Sequence, residues 1–323
     1  MPRRLFAGAL LAIVGILFAL AACELVLRLA GFTYHTFPTV QFGWPEPAAM
    51  ADVFVPDRDL FWVPKDYATQ LRDARTLHPA VVFVGDSCTQ FGTWPRLTLD
   101  RLRGGSASEL ARGVKLGVAG WSTVQGLAQL ERDILPLNAR IVVIFFGWND
   151  HWAAFGRPDT EARAGAVTWW LSEHSRVMQA WLNARQGAEL RLSPDAPVRV
   201  DLASYESNLR RMARDIRGAG ARAILITAPS GHVKGQEPAY LTKRHVRRLE
   251  DVVPLHAAYV DATRRAARAE GAALCDAAYA FSQLPPPIAR YFQHDGIHFS
   301  DEGNTRLAEI VSACLIETAG TVR

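Results

Sequence analysis

Ala80-Val-Val-Phe-Val-Gly-Asp-Ser87 is the stretch on which the fold turns. Its first five residues are apolar and three of them are valine, a run short and β-branched enough to read as a buried strand. The run breaks directly into Gly85-Asp86-Ser87, the composition of a tight turn. A serine so placed stands at the carboxyl end of a strand, with its hydroxyl presented at the sheet edge.

Working outward, the same pattern repeats. Val114-Lys-Leu-Gly-Val118 reads as a weaker strand and Ile141-Val-Val-Ile-Phe-Phe146 as the strongest. Ala223-Ile-Leu-Ile-Thr227 and Ala272-Ala-Leu-Cys275 follow. Helical stretches lie between and after them, near 94–102, 123–134, 202–217, 255–270 and 301–318. Strands alternating with helices predict an α/β fold whose parallel sheet is covered on both faces. In such folds, sites form at the carboxyl ends of the strands.

Two regions depart from the alternation. Residues 31–75 are rich in aromatics and proline and show no long periodic helix. They read as an extended juxtamembrane segment that wraps the domain, with Phe61-Trp-Val-Pro64 packed on it. Residues 151–200 contain Trp169, Trp170 and Trp181 and read as an insertion or cap that sets specificity. The remainder, 76–323, is expected to form the main domain.

The N-terminus reads as a membrane signal. Arg3 and Arg4 precede an uncharged run from Leu5 to Cys23, close to the ~20 residues that cross a bilayer as a helix. The arginines favour a cytoplasmic N-terminus and an extracytoplasmic, periplasmic domain. Two forms of attachment through residues 1–30 fit. Glu24-Leu-Val-Leu-Arg-Leu continues an amphipathic helix out of the run, as a retained single-pass signal-anchor would. Leu20-Ala-Ala-Cys23 resembles a bacterial lipobox, which would leave Cys23 lipidated.

Bulk composition narrows the function. The chain has 323 residues, 49% hydrophobic and 21% charged, which suits a globular protein with a sizeable core. The net charge of +4 is mild, and the one basic cluster, Lys243, Arg244, Arg247 and Arg248, reads as a solvated helix face. Nucleic acid is therefore not an expected partner. Cys23, Cys88, Cys275 and Cys314 lack metal-ligand spacing, so no metal is expected. Cys275 and Cys314 fit either a disulfide in an oxidising compartment or two buried thiols.

Four motifs carry chemistry. Ser87 ends the first strand. Gly120, in Gly117-Val-Ala-Gly-Trp-Ser122, follows the second, where a missing Cβ lets a backbone N–H approach a ligand. Asn149, in Gly147-Trp-Asn-Asp150, follows the third and can aim its amide at a developing oxyanion. Asp295-Gly-Ile-His298 precedes the last helix, so one loop can deliver a base and the carboxylate that orients it. Singly, each also reads as ordinary turn or capping chemistry.

Together, in this order, they resemble the SGNH (GDSL-type) hydrolases, whose four blocks contribute Ser, Gly, Asn and His. The resemblance runs from about Leu77 to the C-terminus, and Asp301-Glu-Gly-Asn304 is similar to the end of the last block. It implies a flavodoxin-like three-layer fold with a parallel sheet of about five strands. It also implies a Ser87–His298–Asp295 triad and an oxyanion hole from the Ser87 N–H, the Gly120 N–H and the Asn149 side chain, with no cofactor. Cys88 replaces the leucine of the family name, and Leu116 stands where many members have asparagine. Cys88 adjoins Ser87 and is a rival nucleophile by position only. Asp86 and Asp150 fit loop-ordering roles better than paired-carboxylate glycosidic chemistry.

The implied activity is cleavage of an ester, on acylated carbohydrate or a small molecule, through an acyl-Ser87 intermediate. An O-acyltransferase of exported polysaccharide would use the same triad. A membrane-tethered binding or assembly protein is the inactive alternative. Trp94, Trp121 and Trp148 adjoin the motifs and read either as a sugar platform or as packing.

Overall fold

The computed structural model describes residues 2–35, 52–105, 107–154, 157–189 and 197–320. Part of the segment expected to wrap the domain, 36–51, and parts of the expected insertion, 155–156 and 190–196, lie outside the described residues.

The chain begins with a helix, α1 (Pro2–Leu29), then an antiparallel hairpin of β1 (Phe54–Asp57) and β2 (Phe61–Pro64) and a helix, α2 (Tyr67–Leu77). Next come β3 (Val81–Gly85), a short helix α3 (Ser87–Gln90), α4 (Trp94–Arg103), β4 (Gly113–Lys115), α5 (Thr123–Gln129) and β5 (Ile141–Phe145). After β5 follow α6 (Ala166–His174), α7 (Arg176–Glu189) and α8 (Leu202–Gly218). The chain then continues through β6 (Arg222–Ile226), α9 (Leu241–Arg244) and α10 (Val252–Glu270). It closes with β7 (Ala273–Cys275), α11 (Ala277–Ser282) and α12 (Asp301–Gly320).

Strands β3 to β7 form one parallel sheet in the order β4-β3-β5-β6-β7. Every residue of β3 and β5 is buried, as central strands covered on both faces must be. Their side chains alternate between two cores. Val82, Val84, Val142 and Ile144 face α2, α8 and α10, whereas Val81, Phe83, Val143 and Phe145 face α4 and α12. This is the expected three-layer α/β fold.

The strand order reverses direction at β3: the chain steps out to β4, then crosses back to β5. That leaves a crevice at the carboxyl ends of these strands. The sequence motifs at Ser87, Gly120 and Asn149 follow β3, β4 and β5 respectively.

The region before β3 departs from its expected reading. An 11-residue helix occupies Tyr67–Leu77, where an extended segment was expected, and buries Tyr67, Leu71 and Ala74. Phe54, Leu60, Phe61 and Trp62 join the same core. Apolar residues from Phe54 onward thus share one core with the sheet.

The expected insertion leaves and returns at one point. Ala154 N–H donates to the Pro197 carbonyl at 2.7 Å, Arg199 N–H to Trp152 at 2.8 Å and Val200 N–H to Asp150 at 2.9 Å. Cys275 and Cys314 are joined by a disulfide that ties β7 to α12.

Candidate active site

Ser87 is the first residue of α3, and Asp86 caps that helix. One Asp86 carboxylate oxygen accepts the Cys88 N–H at 2.9 Å, and the other accepts Asn149 Nδ2 at 3.3 Å. Leading N–H groups of a helix have no partner within it, so the Ser87 N–H is not consumed by α3. The glycine before Asp86 is dictated by packing. A Cβ on Gly85 would lie 2.4 Å from the Phe145 carbonyl oxygen and 2.3 Å from Thr89 Oγ1.

His298 and Asp295 arrive on the loop before α12. The Ser87 hydroxyl donates to His298 Nε2 at 2.8 Å, and His298 Nδ1–H donates to Asp295 Oδ2 at 2.6 Å. Asp295 Oδ1 accepts the N–H groups of Ile297 and His298 at 2.9 and 3.0 Å, so the loop's own backbone fixes the carboxylate. Burial opposes the Asp295 charge, but these bonds and His298 outweigh it and hold the carboxyl down at about 2. Burial likewise opposes an imidazolium at His298, yet the Asp295 carboxylate raises its pKa above the ordinary value.

The loop is tied down from both sides. Asn304 Oδ1 accepts the N–H groups of Thr93 and Trp94 at 2.8 and 3.0 Å, while Asn304 Nδ2 donates to Phe299 and Ser300. The family-like ending at Asn304 thus joins the histidine loop to the serine block. His232 Nε2 donates to the Asp295 carbonyl at 2.8 Å, and Gly231 N–H to Gly296 at 2.8 Å.

Gly120 has φ 80°, the left-handed region that favours glycine. Its loop is held at several points. Ala119 N–H donates to Gln90 Oε1 at 2.6 Å, and Trp62 Nε1 to the Ala119 carbonyl at 3.1 Å. The Gly120 carbonyl accepts Arg199 Nη1 at 2.7 Å. Arg199 and Asp159 are both buried and paired at 2.7 Å, and Asp159 also accepts Ser122 Oγ at 2.8 Å.

Asn149 sits in a buried loop after β5. Trp148 stacks on His256 at 3.8 Å, and burial lowers the His256 pKa to about 4, so the ring supporting the loop is neutral. Asp150 Oδ1 accepts the Thr123 N–H at 2.8 Å, a loop-ordering position.

The structure therefore brings Ser87, His298 and Asp295 into one hydrogen-bonded chain and sets Asn149 beside it through Asp86. Trp94, Trp121 and Trp148 are all buried, which rules out a sugar platform made of their faces. Their indoles pack, with Trp94 Nε1 on the Cys88 carbonyl and Trp121 Nε1 on the Trp62 carbonyl. Sequence reasoning missed Arg199, Asp159 and His232, and it placed Phe61–Pro64 against the domain without seeing that Trp62 holds the Gly120 loop. Among the described residues no cluster of metal-ligating side chains occurs.

A model of the GDSL-like lipase/acylhydrolase family matches residues 83–306. The chain belongs to this family. Its fold is similar to a lipase/acylhydrolase from Enterococcus faecalis, at 19% identity and TM-score 0.49, covering 76% of this chain and 97% of that one. It is similar also to a GDSL-like lipase from Bacteroides thetaiotaomicron (18%, TM-score 0.48, 80% of this chain and 98% of that one). A third is Axe2, an acetylxylan esterase from Geobacillus stearothermophilus (17%, TM-score 0.45, 74% and 93%). No functionally curated protein matches the sequence.

Proposed function

We propose that this member of the lipase/acylhydrolase family is a serine ester hydrolase whose nucleophile is Ser87. The observation that carries the reading is the unbroken chain from Asp295 through His298 to Ser87 Oγ. His298 takes the Ser87 proton as Oγ attacks the ester carbonyl, and Asp295 stabilises the imidazolium. The Ser87 N–H, the Gly120 N–H and Asn149 Nδ2 receive the oxyanion. His298 then protonates the departing alcohol, and water activated by the same imidazole releases the acid from acyl-Ser87.

A fluorophosphonate adduct mapped by mass spectrometry tests this. Labelling of Ser87 that disappears in His298→Ala supports the reading. A folded protein with no adduct and no p-nitrophenyl acetate turnover overturns it. Adding a glycan acceptor and measuring how the acyl group partitions distinguishes hydrolysis from acyl transfer to sugar.

Two further results are expected. Asn149→Ala lowers kcat by about 10²–10³-fold with little change in KM, since the donor acts on charge that develops in the transition state. The second concerns pH. A base must be unprotonated to act, and the His298 pKa lies above the ordinary 6.5. Activity in kcat/KM is therefore expected to fall as pH drops, with the midpoint above pH 6.5. Asp295→Asn removes the raising influence, so the midpoint moves to lower pH; a midpoint that stays put argues against the pairing.

The reading includes tethering outside the cytoplasm. Among the described residues one helix, Phe6–Leu29, is long and apolar enough to cross a membrane. Arg3 and Arg4 before it and the Cys275–Cys314 disulfide both favour an extracytoplasmic domain. Residues 1–30 then form the anchor and the region from about 54 onward the hydrolase domain. The intact mass of the mature protein separates a retained helix from a start at lipidated Cys23.

A further inference from the structure

Helix α6 has an apolar sequence and, among the described residues, no core that buries it. Ala166-Val-Thr-Trp-Trp-Leu171 contributes no buried residue. Val167 is 73% exposed and Trp170 57%; three positions apart, they share one helical face. Trp181, on the next helix, is 52% exposed. Large exposed apolar surface of this kind marks an interaction site.

What the face meets is indicated by its neighbour. Glu24 is the first charged residue after the 19 uncharged ones from Leu5 to Cys23. At 1.5 Å per residue that run spans roughly 28 Å, about the thickness of the hydrocarbon core. Glu24 therefore marks the membrane edge of a retained helix. Its carboxylate caps α7, accepting the Arg176 and Val177 N–H groups and Ser175 Oγ, each at 3.0 Å. Arg28 Nη2 donates to the His174 carbonyl at 2.7 Å, and Tyr34 N–H to Gln179 Oε1 at 3.1 Å. The last turns of α1 thus clamp the α6–α7 elbow. The exposed face continues into that clamp, for Trp170 stacks on His174 at 4.9 Å.

We propose that α6 and the start of α7 form a membrane-interface platform, with Val167 and Trp170 seated in the headgroup layer of the bilayer that α1 enters. Tryptophan prefers this depth because its ring is apolar and its N–H polar. Glu24, by capping α7, sets the platform's height. The inference rests on the retained-helix form of the anchoring reading.

The test uses the full chain carrying Cys23→Ala and Val167→Cys, with an environment-sensitive fluorophore on the new thiol. Cys88 is buried and the other two cysteines are bonded, so labelling is selective. The protein is reconstituted in vesicles of equal parts phosphatidylcholine and phosphatidylglycerol, with or without a lipid bearing a nitroxide on its headgroup. Flotation with the vesicles reports the anchor separately. Quenching at Val167→Cys is expected to exceed that at Thr305→Cys, on α12, by roughly threefold, and to decline when Glu24→Ala removes the cap. Flotation without quenching overturns the platform and leaves the anchor standing. Failure to float overturns the retained-helix anchor and the platform with it.

Discussion

Ser87→Ala is expected to lower kcat toward p-nitrophenyl acetate by on the order of 10⁵-fold, with KM changed little. The hydroxyl forms and breaks the only covalent bond to the acyl group, so nothing in the variant replaces it. The proposed donors at Gly120 and Asn149 remain to polarise a bound ester, so a residual rate above that in water is expected. The members of the triad act as one unit, so Ser87→Ala combined with His298→Ala is expected to be no slower than Ser87→Ala alone. Additive losses would mean that His298 serves another path.

The neighbouring thiol supplies the control. Cys88 is buried, its Sγ lies 3.7 Å from the Ile297 carbonyl oxygen, and burial pushes its pKa well above the ordinary thiol value. A thiol in that state is a poor nucleophile. Cys88→Ala is expected to keep most of the activity. Retention in Ser87→Ala with loss in Cys88→Ala would transfer the nucleophile to the neighbour.

The contrast between the two residues shows what the sequence makes legible. Ser87, Gly120 and Asn149 each follow a short β-branched or apolar run, so run length and β-branching placed them at one edge of a sheet. His298 and Asp295 were legible as one loop, three positions apart. The short β4 was found, but as Val114–Val118 rather than Gly113–Lys115; beyond Lys115 the Leu116 and Val118 N–H groups still donate to the Phe83 and Gly85 carbonyls of β3. In α2, Tyr67, Leu71 and Ala74 do repeat at helical spacing, but within a polar segment whose apolar face is narrow. Arg199 gave no local signal. Its partner Gly120 lies 79 positions away, and only the tertiary fold pairs them. The buried tryptophans mislead in the other direction, since adjacency to a motif in sequence says nothing about which way a ring points.

Arg199 supports the second large prediction. Arg199→Ala leaves Asp159 charged, buried and without its main partner, which costs about 3–5 kcal/mol. For a domain of this size that lowers Tm by on the order of 10 °C. The same change removes the donor to the Gly120 carbonyl, so the Gly120 N–H loses its fixed direction and kcat falls as well. The two effects separate in a second variant. Arg199→Met with Asp159→Leu replaces a buried ion pair by apolar side chains, which is often neutral or stabilising, so Tm is expected to return to near the original value. Gly120 still lacks its donor there, and kcat is expected to stay low. Thermal melts and steady-state kinetics on both variants decide the matter. Recovery of kcat together with Tm would mean that Arg199 only holds the fold. Recovery of Tm alone makes it a positioning residue, through which the neck of the segment between β5 and α8 sets the oxyanion donors.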